Sequence, residues 1–276
     1  MLSNNKRAPA RRAVACFVAA ACLVALLPLR AAAWADDGHK TVAVIAYGLL
    51  TERARYNVDA LLMGHTVDAV VMWPDELRYI GSPKCVTPES EGCNPNYRPE
   101  TGDWHQVDLR YEGSGRFSPR DCPTTREGDC VVAAIEDFKK VLTSATRGKL
   151  SEHSPQNRRK YHDALRFMLH FVGDIHQPLH CANRNRDAGG NGVPVTWADE
   201  PEYPYGEVWN LHAVWDDIMV SHDMKKAGKT GFADYAVWLE GGLPAQARAY
   251  AVRKSDWITK GQPETTVAWA ERSHQL

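Results

Sequence analysis

The sequence predicts a mostly α-helical fold in a single domain with loop excursions. Three observations point to it: apolar residues recur at intervals of three and four in several long segments, only one stretch suggests a strand, and no internal repeat or low-complexity block divides the chain. The composition agrees. A chain of 276 residues with 44% hydrophobic and 24% charged side chains is that of a folded globular protein, not a disordered tail or a fibre.

Taken in order, Met1 to Arg30 stands apart from the rest. Lys6, Arg7, Arg11 and Arg12 precede an uncharged run from Ala13 to Leu29, and Ala31-Ala32-Ala33 supplies the small residues of a cleavage site. Residues 1–33 therefore read as a signal peptide and residues 34–276 as the mature domain, with a periplasmic or secreted location. The apolar run sits at the lower limit for a membrane span, and no second run of that length follows, so no membrane segment is expected once the leader is removed. Arg11-Arg12 also fits a twin-arginine export signal.

His39 to about Met63 reads as a helix presenting Val42, Ile45, Ala46, Leu49 and Leu50 on one face. Ile80 to Asp129, rich in Pro, Gly and Cys, reads as a loop excursion. Val131 to Ser144 is the next helix. Ser154 to about His176 is the clearest, with Leu165, Met168, Leu169, Val172 and Ile175 in a stripe that ends before Pro178. Asp187 to Gly206 is irregular, with a short strand at Val193 to Trp197. Further helices are expected at Asn210 to His222, Phe232 to Leu239 and Pro244 to Thr259.

Charge and cysteine content narrow the function. The 33 Lys plus Arg nearly balance the 34 Asp plus Glu; without the five bases of the leader, residues 34–276 carry 28 bases against 34 acids, a formal charge of −6. Such a surface does not grip phosphate backbones by its own charge, so a nucleic-acid substrate needs positive charge from another source, such as metal ions. Five cysteines follow the leader. In an exported chain Cys85 with Cys93 and Cys122 with Cys130 each close a short loop and are expected as two disulfides, leaving Cys181 odd. A thiolate zinc site would require a C-x-x-C pair, which the sequence lacks.

The chemistry concentrates in histidines and aspartates. His170 and Asp174 are four apart on the long helix and leave the same face about one turn apart, close enough to share a metal ion. His180 follows after Gln177-Pro178-Leu179, and His212 and Asp216 repeat the four-residue device in Asn210-Leu211-His212-Ala213-Val214-Trp215-Asp216. Cleavage before Trp34 would free an α-amino group that can chelate a metal beside its own carbonyl, five residues ahead of His39. Trp73-Pro74-Asp75-Glu76-Leu77-Arg78 and Trp104-His105-Gln106-Val107-Asp108 each set a potential ligand beside an aromatic ring.

In this order the motifs W-x4-H, W-P-D-E-x-R, W-H-x-x-D, H-F-x-G-D-x-x-Q-P-L-H, D-x-G-G-N (Asp187 to Asn191) and N-L-H-x-x-W-D resemble those of the S1/P1 zinc nucleases. The resemblance runs from Trp34 to at least Asp217. It implies a helical bundle of the zinc phospholipase C / P1 nuclease type with three Zn²⁺ in a cleft. By the same resemblance one zinc takes Asp75, His105, His170 and Asp174, a second takes Trp34, His39 and Asp174, and a third takes His180, His212 and Asp216. Imidazole and carboxylate ligands without thiolate suit zinc that keeps open positions.

The resemblance also implies roles at the reacting phosphate. Asp174 bridges two zincs, Arg78 holds charge on phosphoryl oxygens, Asp108 orients water or supports the ligands, and Asn210 reaches a phosphate oxygen or caps the helix carrying His212. Tyr203, Tyr205 and Trp197 are candidates for stacking unpaired bases or for local packing. The implied activity is hydrolysis of single-stranded DNA and RNA to 5′-phosphorylated products, with a 3′-nucleotidase activity beside it, by a monomer without a stable protein partner. A zinc phospholipase C and a non-catalytic periplasmic zinc-binding protein are the alternatives. Ala35 departs from the family's usual glycine, and Asp36-Asp37 adds two acids beside the N-terminal ligand.

Overall fold

The computed structural model describes residues 36–78, 99–112, 114–122, 130–145, 152–197, 209–242, 258–259, 262–263 and 265–276, all within the unit Ala31–Leu276. Residues 1–33, Trp34, Tyr203, Tyr205 and the Cys85 and Cys93 pair lie outside the described residues. The described residues are mostly helical, as the sequence predicts, and none of their helices is long and apolar enough to cross a membrane.

The first expected helix is in fact two, α1 (Asp36–Gly48) and α2 (Glu52–Leu62). Thr51 separates them, because its side chain accepts a hydrogen bond from the Ala54 amide and starts a new helix. Met63 in the left-handed region closes α2. Two short helices with too few turns for a periodic signal follow, α3 (Val67–Val70) and α4 (Trp73–Arg78). A 3-10 helix, Pro99–His105, lies within the segment expected as loop.

Helix α5 (Val131–Ala145) packs along α6 (Pro155–Asp174). Ser154 caps α6 through the Asn157 amide, and Pro155 fits the first turn, where its missing N–H costs nothing. A further 3-10 turn, Pro178–Cys181, follows. The expected strand shrinks to β1 (Pro194–Val195), paired antiparallel with β2 (Trp209–Asn210). From Leu211 the chain runs through α7 (Leu211–Ala213), a π-helical turn (Val214–Ile218) and α8 (Met219–Lys226), and then α9 (Phe232–Gly242). Of the helix expected at Pro244 to Thr259, residues 243–257 are outside the described set. Thr259 lies in β3 (Ile258–Thr259), paired with β4 (Gln262–Pro263). A last helix, α10 (Thr266–His274), was not expected from the sequence; Thr265 caps it.

Helix α6 separates two of the three hydrophobic clusters among the described residues. On one side Phe167, Phe171 and Ile175 pack with Val107, Leu109, Ile135, Cys181 and Ala270. On the other Leu165 packs with Ala43, Leu62, Val67, Val70 and Val71. A third cluster joins Trp209, Val214 and Ile218. The apolar face expected of α1 is not the buried one: Val42 and Leu49 are exposed, whereas His39, Thr41 and Ala43 point inward. The polar His39 takes the inner face because α6 opposes it with a glycine, Gly173, on which the imidazole rests.

The Cys122–Cys130 disulfide is present, and Cys181 is a free, fully buried thiol whose Sγ lies 3.3 Å from the Ile175 carbonyl oxygen. Helix α10 closes this region. Its Ser273 hydroxyl donates to the Ile175 carbonyl at 2.7 Å, and His274 Nδ1 lies 3.0 Å from the Cys181 carbonyl oxygen. Ser273→Ala should therefore cost about 1 kcal/mol. Thermal unfolding should register it as a fall of about 2–4 °C in Tm, and an unchanged Tm would show that α10 does not stabilise the end of α6.

Candidate metal centre

Seven segments bring eight side chains together. Helix α1 contributes His39, α4 Asp75, the Pro99–His105 turn His105, α6 both His170 and Asp174, the Pro178–Cys181 turn His180, α7 His212 and the π turn Asp216. None of the eight is more than 7% exposed. They fall into three groups with ligand atoms close enough to hold one ion each: His39, His170 and Asp174; Asp75, His105 and His170; and His180, His212 and Asp216.

Asp174 is the hub. Its Oδ1 lies 3.3 Å from His39 Nε2 and 3.8 Å from His180 Nδ1, and its Oδ2 lies 2.9 Å from His105 Nδ1 and 3.3 Å from His170 Nε2. Asp75 Oδ1 approaches His170 Nε2 at 3.6 Å and His105 Nδ1 at 3.7 Å, and His212 Nε2 meets Asp216 Oδ2 at 2.9 Å.

Backbone carbonyls fix several rings. The Nδ1–H groups of His170, His180 and His212 donate to Val71, His105 and Gly189 at 2.8, 2.7 and 2.7 Å, which leaves each Nε2 a lone-pair donor. Among the described residues, both ring nitrogens of His39, Nε2 of His105, His170 and His180, Asp75 Oδ2, Asp174 Oδ1 and Asp216 Oδ2 are buried without a hydrogen-bond partner. Native interiors rarely leave so many polar atoms unsatisfied. Divalent cations would engage most of them, one nitrogen per ring, and the imidazole and carboxylate donors suit such ions.

Two glycines and a glutamine shape the site. A Cβ on Gly173 would stand 2.8 Å from His39 Nδ1, so only glycine lets the His39 ring stack on His170, with centroids 3.9 Å apart. Gly189, with φ of +61°, brings its carbonyl to His212, and a Cβ there would meet the Leu179 carbonyl oxygen at 2.6 Å. Gln177 is fully buried; its Nε2 donates to Asp216 Oδ1 at 2.6 Å and its Oε1 accepts from the Leu179 amide. Gln177 thus ties the turn carrying His180 to the ligand on the π turn. It was not singled out in the sequence, although Q-P-L-H contains it.

The remaining candidates occupy varied positions. Arg78 donates from Nε and Nη2 to Asp75 Oδ1 at 2.7 and 2.6 Å, with a quarter of its side chain exposed. Asn210 Oδ1 accepts from the Ala213 amide at 2.8 Å and so caps α7. Asp108 is exposed and belongs to none of the three groups. Trp197 packs against the third apolar cluster and near the His222 ring.

Burial alone would raise the Asp75 and Asp174 carboxyls, but His170 and the other neighbouring imidazoles, with Arg78 beside Asp75, hold both well below the ordinary carboxylate range. Burial and the Arg78 charge push His105 down to about 4, and burial lowers His180. His170 and His212 go the other way: burial opposes their charged form, but Asp174 and Asp75 outweigh it at His170, and Asp216 outweighs it at His212.

A family model described as S1/P1 Nuclease matches residues 34–276. Endonuclease 4 of Arabidopsis thaliana is 32% identical over 198 residues, covering 70% of this chain and 57% of the plant protein. Nuclease S1 of Aspergillus oryzae is 26% identical over 264 residues, covering 89% of this chain and 78% of its own. Nuclease P1 of Penicillium citrinum is 25% identical over 257 residues, covering 88% and 80%. The chain thus spans little more than half the length of the plant relative.

Two measurements probe the assembly. Gly173→Ala and Gln177→Leu should each weaken metal retention by about 10- to 100-fold, read by competition with a chromogenic chelator; retention equal to the parent would remove both from the support of the site. In the metal-free protein His170 and His212 take up protons above the ordinary imidazole range, so protons compete with the ion there first as the pH falls. Metal content after dialysis at stepwise lower pH should begin to drop near neutrality. Full retention down to about pH 4, where His105 protonates, would contradict this order.

Proposed function

The chain belongs to the S1/P1 nuclease family, and from that premise we propose that it is a zinc-dependent nuclease that hydrolyses single-stranded DNA and RNA to 5′-phosphorylated products, with 3′-nucleotidase activity. One observation carries this function: three buried His/Asp groups from distant segments lie side by side, and several of their potential ligand atoms have no hydrogen-bond partner among the described residues. We further propose that cleavage after Ala33 exports the protein and frees the Trp34 amino group to complete the His39 and Asp174 group.

Bound zinc supplies Lewis acidity and a water of lowered pKa beside the phosphodiester. The chain's own residues do the rest. Asp174 and Asp75 stay ionised throughout the working range, because the neighbouring imidazoles and Arg78 stabilise their charge. The Arg78 guanidinium, anchored on Asp75 at the rim, presents positive charge to the phosphoryl oxygens as negative charge grows there. Asn210, whose Oδ1 is engaged by the helix it caps, turns its amide N–H groups towards a phosphate oxygen. Asp108, exposed beside the His105 segment, is assigned to water orientation. Tyr203, Tyr205 and Trp197 are assigned to unpaired bases. Three divalent ions also offset the formal charge of −6 on residues 34–276, concentrating positive charge where the strand binds.

Cleavage of single-stranded DNA by protein beginning at Trp34, before and after chelation and zinc restoration, tests the function. Activity should vanish with chelation, return with zinc and leave 5′-phosphate ends; three bound zincs without cleavage would refute it. Arg78→Ala should lower kcat by about 10²- to 10³-fold with zinc content kept. A methionine left in front of Trp34 should cost both metal and activity, and full activity in that form would remove Trp34 from the ligands.

A further inference from the structure

We propose that a cavity beside the N-terminal half of α6 is a second binding site, separate from the His/Asp groups, for an anionic ligand carrying a flat aromatic ring and of mononucleotide size. Its volume is about 660 Å³, and it lies where α4, α6, the end of α2 and the Pro99–His105 turn meet. That volume is in the range of small-molecule sites.

The lining defines the ligand. Trp73, Trp104 and Phe167 form aromatic walls, while Arg159, Arg166, His65 and His162 bring cations or N–H donors to the same space. The one acid among the lining residues, Asp163, is ion-paired with Arg166. Arg166 in turn lies flat on Trp73, 3.3 Å from the ring centroid, and its Nε is buried without a hydrogen-bond partner among the described residues. With Asp163 neutralised by Arg166, Arg159 gives the cavity a positive balance in a chain whose residues 34–276 are acidic, and the two imidazole rings add polar nitrogens. Cations over aromatic walls select a phosphate joined to a planar ring; inorganic phosphate would leave the walls without a partner.

Position separates this cavity from the metal groups and couples the two. His162 precedes His170 by eight residues, about 12 Å along the helix axis, and none of the residues of the three His/Asp groups lines the cavity. Trp73 and Trp104, however, stand two and one residues ahead of Asp75 and His105. A ligand seated on these rings bears on both segments that present those side chains. The inference does not need the nuclease reading, although the mononucleotides a nuclease releases are of this class.

Photolabelling of the zinc-loaded protein with 8-azidoadenosine 5′-monophosphate, followed by peptide mapping, tests the site. Label is expected on peptides carrying Met63 to Trp73 or Thr101 to Trp104, with protection by adenosine 5′-monophosphate and much less by inorganic phosphate. Arg159 is exposed, so Arg159→Glu should fold normally. It should reduce labelling and equilibrium binding of adenosine 5′-monophosphate by about tenfold or more while leaving single-strand cleavage at the parent rate. Label confined to peptides between His180 and Asp216, binding unaffected by Arg159→Glu, or protection by inorganic phosphate equal to that by the nucleotide would each overturn the proposal. Labelling that persists in a preparation without cleavage activity would leave this site standing and count against the nuclease function alone.

Discussion

A carboxylate with no exposure, surrounded by four imidazoles, is the constraint on which this structure turns. Isolated in a protein interior, the Asp174 charge would cost several kcal/mol or simply pick up a proton. It remains an anion because His170 faces it from the preceding turn of α6 and His39, His105 and His180 approach it from three other segments. Each of those segments is therefore obliged to reach the last turn of α6. The two apolar clusters flanking α6 supply the burial that holds the segments there. The polar centre and the hydrophobic core are thus one assembly, with α6 contributing one stripe to each.

The same obligation explains which parts of the fold were legible in the sequence. His170 with Asp174, and His212 with Asp216, are visible as four-residue pairs because a helix converts that spacing into proximity. Helix α6 is visible because twenty residues of periodic burial outvote local noise. The inner face of α1 was misread, since hydrophobicity favoured Val42 and Leu49 while the opposing Gly173 accepts only a flat ring. That information sits more than a hundred residues away. The break at Thr51 was local, but a single capping residue within a long apolar pattern carries little weight.

Gln177 and α10 escaped notice for related reasons. A buried glutamine between two ligand-bearing turns has no signature of its own, and its role emerges only when Asp216 arrives from another helix. Helix α10 buries small residues, Ala270 and Ser273, so its hydrophobic signal is faint although it seals the end of α6 and the turn carrying His180. Asp108 illustrates the opposite case: a motif position whose burial the sequence does not specify and which the fold leaves exposed.

The hydrogen bonds that lock the ligands have one further property. Three of them join residues 69 to 99 positions apart, from His105 with Asp174 to His170 with Val71. Closing loops of that length is entropically slow and precedes any reward from the contacts it allows. The centre therefore depends on long-range closure, because its eight side chains come from segments spread between His39 and Asp216. A chain crossing a membrane unfolded would carry its histidines past competing cations in the cytoplasm as isolated weak donors. Ion choice would then be made in the compartment where folding ends.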